Sequence, residues 1–305
     1  MKWWLCSPVS LLFGVLLLPI PHASGAEYMQ QEEPVPSTAA DLLGALGYAF
    51  THPEEQPWYL LDDLKLAMED SHPFVRDSRL SFDFRTFSFD RKNGQLPGGD
   101  AWAVGGQLRY QSGDWNGFSL GAAWYNSTEI DSSGIPTGVL GWDNENINVL
   151  GEANLRYRFE QPVIEGSELT LYRQKLSLPY MNTQDARMLP GTHEGYLLQR
   201  AGSKFDYVLG HVTKFKRRDD DEFRYLSEAA GALGTDEGAT VVGAQVPLGE
   251  SVTVGAINQY GWDTFNTFYS ETSYSSRINQ DIDFKLSGQY TNQRSVGEEL
   301  VGEFD

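Results

Sequence analysis

From Leu80 onward one constraint recurs: long stretches in which apolar side chains alternate with polar or small ones. Successive side chains of a β-strand point to opposite faces, so each stretch has one apolar and one polar face. In the first, Leu80, Phe82 and Phe84 share a face, opposed by Asp83, Arg85, Phe87, Phe89 and Arg91. In the second, Trp102, Val104, Gly106, Leu108 and Tyr110 oppose Ala103, Gly105, Gln107, Arg109 and Gln111. At ~3.4 Å per residue and ~40° of tilt, Trp102 to Tyr110 covers about 21 Å along an axis, nearly the height of a membrane's apolar band.

The same alternation predicts strands at 118–125, 149–159, 169–173, 195–200, 205–212, 240–246, 252–259, 265–274 and 282–291, eleven in all. Short turns (112–117, 161–166, 201–204, 247–250, 275–280) rotate with longer links (92–100, 126–146, 175–194, 213–237). A soluble sandwich has no reason to keep that rhythm, whereas an outer-membrane barrel has short turns at one end and long loops at the other. One link, 260–264, is short where a long one is expected. The fold class read from this pattern is all-β: an antiparallel up-and-down transmembrane barrel.

The N-terminus agrees with export. Lys2, the apolar run Val9–Ile20 and the small residues Ser24-Gly25-Ala26 read as a signal peptide over 1–26. Its removal takes the only cysteine, Cys6, and shifts the net charge from −19 to −20. That leaves no disulfides or thiolate chemistry, and nucleic acid is excluded as a partner. Residues 27–77 are polar and Pro-interrupted and read as a separate, partly helical extension; residues 78–305 form the barrel region. Mean hydropathy is −0.40. A barrel gives such a value because every second residue faces water.

Chemistry-bearing motifs are sparse. The five histidines, His22, His52, His72, His193 and His211, lack metal-ligand spacing. The run Asp219–Glu222 lacks the glycine and spacing of a calcium loop, and no serine sits in a nucleophile elbow. No cofactor or metal is expected. If Phe82, Trp102, Val104, Tyr110, Val149 and Tyr157 face lipid, parity turns Arg85, Arg91, Arg109, Arg156 and Arg158 inward. Those arginines either hydrate the wall in pairs with Asp83 and Glu152 or form a basic track for carboxylates.

Three stretches give the chain a family likeness: Asp77-Ser78-Arg79-Leu80 through Phe89-Asp90-Arg91; Asp185-Ala186-Arg187-Met188-Leu189-Pro190 followed by Glu194-Gly195-Tyr196; and Phe205-Asp206-Tyr207-Val208-Leu209-Gly210-His211-Val212-Thr213. In their order, from about residue 73 to the end, the chain resembles the OprD family of Gram-negative outer-membrane porins. The resemblance implies an eighteen-stranded channel, a loose homotrimer, and uptake of small anionic or zwitterionic solutes such as amino acids and aromatic acids. Lipid bilayer and lipopolysaccharide would surround it. It also implies that Lys175–His193, with Asp185 and Arg187, folds inward as a constriction loop, and that Arg85 and Arg91 belong to a basic ladder. Arg109, Arg156 and Arg158 rest on parity alone. The extension before Asp77 is outside the family pattern, and ending at Glu303-Phe304-Asp305 reads as a chain cut before its barrel closes. Two other functions fit alternating strands: an outer-membrane barrel hydrolase, which needs a Ser–His pair at a strand end, and a secreted soluble β-protein that binds sugars.

Overall fold

The computed structural model describes residues 69–92, 98–161, 164–201, 205–277 and 283–303. The expected signal peptide and most of the extension lie outside them. The single turn α1 (Pro73–Arg76) starts with proline at its first position, where a missing N–H is harmless, and His72 Nδ1 accepts from the Phe74 N–H at 3.2 Å. It leads into β1 (Arg79–Arg91).

Ten more long strands follow: β2 (Gly99–Gln111), β3 (Phe118–Ser132), β4 (Ile147–Arg158), β5 (Glu168–Gln174), β8 (Thr192–Arg200), β9 (Asp206–Lys216), β11 (Ala239–Leu248), β12 (Val252–Gly261), β13 (Phe265–Arg277) and β14 (Asp283–Ser295). Each pairs antiparallel with the one before it in sequence, so the sheet runs in chain order from β1 to β14. These are the eleven strands expected from the alternation. The small elements belong to the links: the hairpin β6 (Ser177–Leu178) and β7 (Met181–Asn182) between β5 and β8, and β10 (Arg224–Tyr225) with the turn α2 (Leu226–Ala229) after β9. No helix among the described residues is long and apolar enough to cross a membrane, which says nothing against crossing by strands. The short β12–β13 link is a tight turn, with Asp263 at φ 52° and the Thr264 N–H on the Gly261 carbonyl at 3.3 Å.

The sheet is curled, and a link shows it. Flat, eleven strands at ~4.8 Å spacing would hold β1 and β14 about 48 Å apart. Yet Asp185 binds Arg85 of β1 while Tyr180 meets Thr291 of β14 at 2.8 Å, and those two link residues are separated by at most about 18 Å of extended chain. The segment 175–191 therefore lies across a concave face. Two apolar clusters seat it there. Met188 and Leu189 pack with Ala103, Tyr125, Leu140 and Val149, while Leu176 packs with Leu197, Val212, Val241 and Ile257.

The convex face carries the aromatic ends of the strands. Trp102, Tyr110, Trp124 and Trp262 are exposed, and Phe118 stacks on Tyr157 at 4.5 Å. Two indoles are tied down alike: Trp102 Nε1 donates to Thr86 Oγ1 and Trp262 Nε1 to Thr240 Oγ1, both at 3.0 Å.

One parity assignment is corrected. Between Ala123/Glu152 and Trp124/Leu150 the β3–β4 register skips Gly151, a bulge that sets one residue of β3 against two of β4. Below it Glu152, Asn154 and Arg156 face the concave side, as expected, and Tyr157 the convex side. Above it the faces swap: Val149 is 8% exposed in the concave core, and Leu150, at 38%, looks outward. Glycine is required there, because a Cβ would collide with the Tyr125 ring.

Candidate functional site

The inward segment is held to the wall by ions. Arg85, on the concave face of β1, grips Asp185 as a fork, with guanidinium–carboxylate distances of 2.5 and 3.1 Å. It also pairs with Asp83 at 2.8 Å and donates to the Arg187 carbonyl at 3.3 Å. Such bidentate, charge-assisted contacts fix orientation as well as distance. On the far side Tyr180 lies edge-on to Tyr269 of β13, ring centres 6.1 Å apart, and Gln259 of β12 donates to the Pro179 carbonyl.

A second group centres on Glu152, whose side chain is 4% exposed. Arg109 of β2 reaches one oxygen at 2.7 Å, Tyr125 of β3 donates to the other at 2.5 Å, and Lys175, first residue of the inward segment, is 3.6 Å away. An unpaired carboxylate so buried would be costly, and three partners are what make the position tolerable. Gln107 joins the groups: its amide oxygen accepts from Arg109 (3.2 Å) and Lys175 (3.1 Å), and its nitrogen reaches Asp83 at 3.5 Å. The connected network thus sets Arg85, Arg109 and Lys175 against Asp83, Asp185 and Glu152, three charges of each sign.

The remaining expected residues are placed differently. Arg156 faces the concave side and makes no ion pair with a described residue. Arg158 sits at the short-turn end, 67% exposed and 3.9 Å from Glu168. Arg91 lies at the opposite end and donates to the Pro136 carbonyl at 3.4 Å. Arg187 turns from Asp185 and stacks on Phe89 at 4.6 Å. Sequence reasoning gave no part to Tyr125 or Lys216, and to Lys175 only a place at the start of the inward loop. Lys216 is fully buried, donates to the carbonyls of Arg217 (2.8 Å) and Asp220 (3.2 Å), and lies 5.5 Å from the Tyr125 ring centre. A lysine at the end of an alternating strand, followed by Arg217 and Arg218, carries no local mark of burial.

Across the concave face the wall changes character. A cavity of about 370 Å³ beside the inward segment is lined by Gln199, Gln245, Thr253, Tyr269 and Glu271 among others. Tyr269 and Gln289 both donate to Glu271, at 2.5 and 3.1 Å. The cavity is thus bordered by the 177–179 stretch of the inward segment and by amides, hydroxyls and the Glu271 carboxylate of the strands from β8 to β13, apart from the mixed-charge network on β1–β4. No group of three or more His, Cys, Asp or Glu side chains suited to a metal ion occurs among the described residues.

A family model for the outer membrane porins of the OprD family matches residues 72–305. The chain belongs to that family. Solved members have the same fold: OpdK of Pseudomonas aeruginosa, crystallised with vanillate, superimposes with a TM-score of 0.63 at 20% identity, over 76% of this chain and 61% of its own. OccK9 (OpdG) of the same species gives 0.63 at 21% identity, over 77% and 63%. OccAB2 of Acinetobacter baumannii gives 0.65 at 22% identity, over 77% and 62%. This chain thus spans about three-fifths of the length of these porins. No curated protein sequence matches it. OprD-family porins are outer-membrane proteins, so the convex face with Phe82, Trp102, Tyr110 and Tyr157 is the lipid-facing one.

Proposed function

We propose that this chain supplies the constricted wall of a passive channel for small carboxylate-bearing solutes, amino acids and aromatic acids among them. The observation that carries the reading is the inward segment 175–191, pinned to β1 through Arg85–Asp185 and resting on β12–β14 through Pro179 and Tyr180. A segment fixed on both sides narrows a lumen without closing it. Arg85 and Arg109 are balanced by carboxylates, so the basic track in this part is local: Arg156, without a carboxylate partner, is the concave arginine that offers its charge to a solute. Arg158 serves the short-turn mouth. OpdK was crystallised with vanillate, an aromatic carboxylate, which supports the same solute class here. Lipid bilayer and lipopolysaccharide surround the convex face, and a loose homotrimer is the assembly proposed.

The experiment is conductance of the full protein in planar bilayers, with potassium chloride on one side and sodium benzoate on the other. Discrete channels whose benzoate current falls in Arg156→Gln are expected. Absence of conductance in correctly folded protein would overturn the channel reading, and an unchanged benzoate current in Arg156→Gln would reduce that arginine to wall structure.

A further inference from the structure

The convex face also carries a cavity, a groove of about 620 Å³ across the strands from β8 to β13. The pairing register explains its shape. One row across the sheet joins Arg200 to Tyr207, Tyr207 to Ala244 and Ala244 to Ala256. The neighbouring row, one step toward the long links, joins Leu198, Leu209, Val242, Asn258 and Phe268. Leu209 and Val242 are 50% and 53% exposed, and the two rows share one parity, so both face the membrane side. Single methyl groups beside branched and aromatic side chains leave a trough with Ala244 and Ala256 as its floor. Phe205 and Tyr207, ring centres 5.7 Å apart, wall its short-turn end.

Most polar groups along this groove are partnered within the wall. Asn258 Nδ2 donates to Asn266 Oδ1 at 2.7 Å, and the Tyr207 hydroxyl meets Ser167 Oγ at 2.6 Å. Arg200 is the exception. It lines the groove as the last residue of β8 and makes no ion pair or hydrogen bond with a described residue. Being at the strand's end it borders the concave cavity too, but its register with Tyr207 turns its side chain to the convex face. A guanidinium on a lipid-facing wall is costly unless it reaches the interface or an anion.

The apolar trough alone would select nothing, because lipid tails are as apolar as its walls. The charge selects. A phosphodiester meets a guanidinium fork through two oxygens, as a carboxylate does. The short-turn end of an outer-membrane barrel is the periplasmic one, and the lipid of that leaflet is phospholipid. Arg200 and Ala256 stand three strand spacings apart, ~14 Å, which one lipid spans from its phosphate into its acyl chain.

We infer that this groove binds one phospholipid of the periplasmic leaflet, its phosphate on Arg200 and an acyl chain over Ala244 and Ala256. The inference rests on the chain's place in an outer-membrane family and not on the solute the channel passes.

The test is native mass spectrometry of the delipidated full protein in detergent, titrated with dioleoyl phosphatidylglycerol. Wild type is expected to take up one lipid per chain, saturably. In Arg200→Gln the apparent affinity should weaken ~10-fold, the loss of a charge-assisted hydrogen bond. In Ala256→Trp, whose ring fills the trough, the adduct should be lost; if that variant does not fold, Ala244→Leu should weaken binding in the same direction. Undiminished binding in folded Arg200→Gln overturns the phosphate contact, and undiminished binding in a folded trough variant overturns the groove. A wild type that takes up no lipid but forms an oligomer broken by Ala256→Trp would assign the face to a second copy and overturn the lipid site. Absence of conductance in bilayers would remove the channel reading and leave the lipid titration as it stands.

Discussion

Asp185→Ala tests how the inward segment is held. The substitution removes a forked pair whose side chains are 20% and 30% exposed, partly shielded from solvent. Hydrogen bonds to charged groups in such settings contribute ~1.5–3 kcal/mol. Asp83 stays 2.8 Å from Arg85 and keeps part of the charge balanced, so the net loss is placed at the lower end, ~1–2 kcal/mol. Opposing release, the fully buried Met188 and Leu189 contribute ~1.5–3 kcal/mol each. The apolar anchor therefore outweighs the ionic one, and the variant should loosen the tip of the segment without freeing it. A shift of ~1–2 kcal/mol raises the frequency of local opening roughly 5- to 30-fold. Single-channel recordings should show this as added current noise with little change in mean conductance, and Leu189→Ala, a ~2–5 kcal/mol change, should raise the mean conductance as well. A double-mutant cycle on barrel melting with Arg85→Ala isolates the pair. Coupling below ~0.3 kcal/mol, or noise no different from wild type, would refute the view that this pair tethers the segment.

Three further outcomes follow from the same geometry. Gly151→Ala forces a methyl into the Tyr125 ring, an overpacking of ~1–3 kcal/mol that should lower the melting temperature of the detergent-solubilised barrel; an unchanged midpoint would mean that the bulge tolerates a side chain. Glu152→Gln leaves Arg109 and Lys175 without their shared carboxylate and changes the network from neutral to one net positive charge, so the zero-current potential in a salt gradient should move toward anion selectivity, and no movement would show the group to be sealed from permeating ions. Trp102→Phe and Trp262→Phe each remove an indole-to-threonine hydrogen bond and should lower barrel stability by ~0.5–1.5 kcal/mol apiece in chemical denaturation; equal stability of both variants would make those contacts incidental.

The strands were legible because their signal is local. A period of two in Leu80, Phe82 and Phe84 or in Trp102 to Tyr110 needs no knowledge of the partner strand, and all eleven long strands carry it. Parity also turned Arg85, Arg109 and Arg156 to the concave side. It misled at Val149 because an inserted residue leaves the alternation of letters intact while rotating everything above it. Val149 and Tyr157 are both odd-numbered apolar residues, yet they face opposite sides of the sheet. The family likeness singled out Lys175–His193 as the inward segment, but its contacts depend on residues far away in sequence. Lys216 shows that limit most clearly. Its burial depends on Tyr125 and on the carbonyls of the following turn, neither of which its own strand reveals.

The two anchors of the inward segment also bear on the order of assembly. Arg85 and Asp185 are 100 residues apart, Tyr180 and Thr291 are 111 apart, and the segment bridges both pairs. Such contacts form only after the intervening chain has been confined, and that loop entropy must be met before they contribute anything. Each antiparallel strand can add to its predecessor as it arrives, but the segment between β5 and β8 gains its far-side seat only as β12, β13 and β14 are laid down. A growing sheet would consequently carry a more open concave face until β12–β14 add to it. Slowing the addition of β12–β14 should therefore prolong a wide intermediate and leave the segment around Leu176, buried once seated, open to proteolysis long after the β1–β5 wall has become protected.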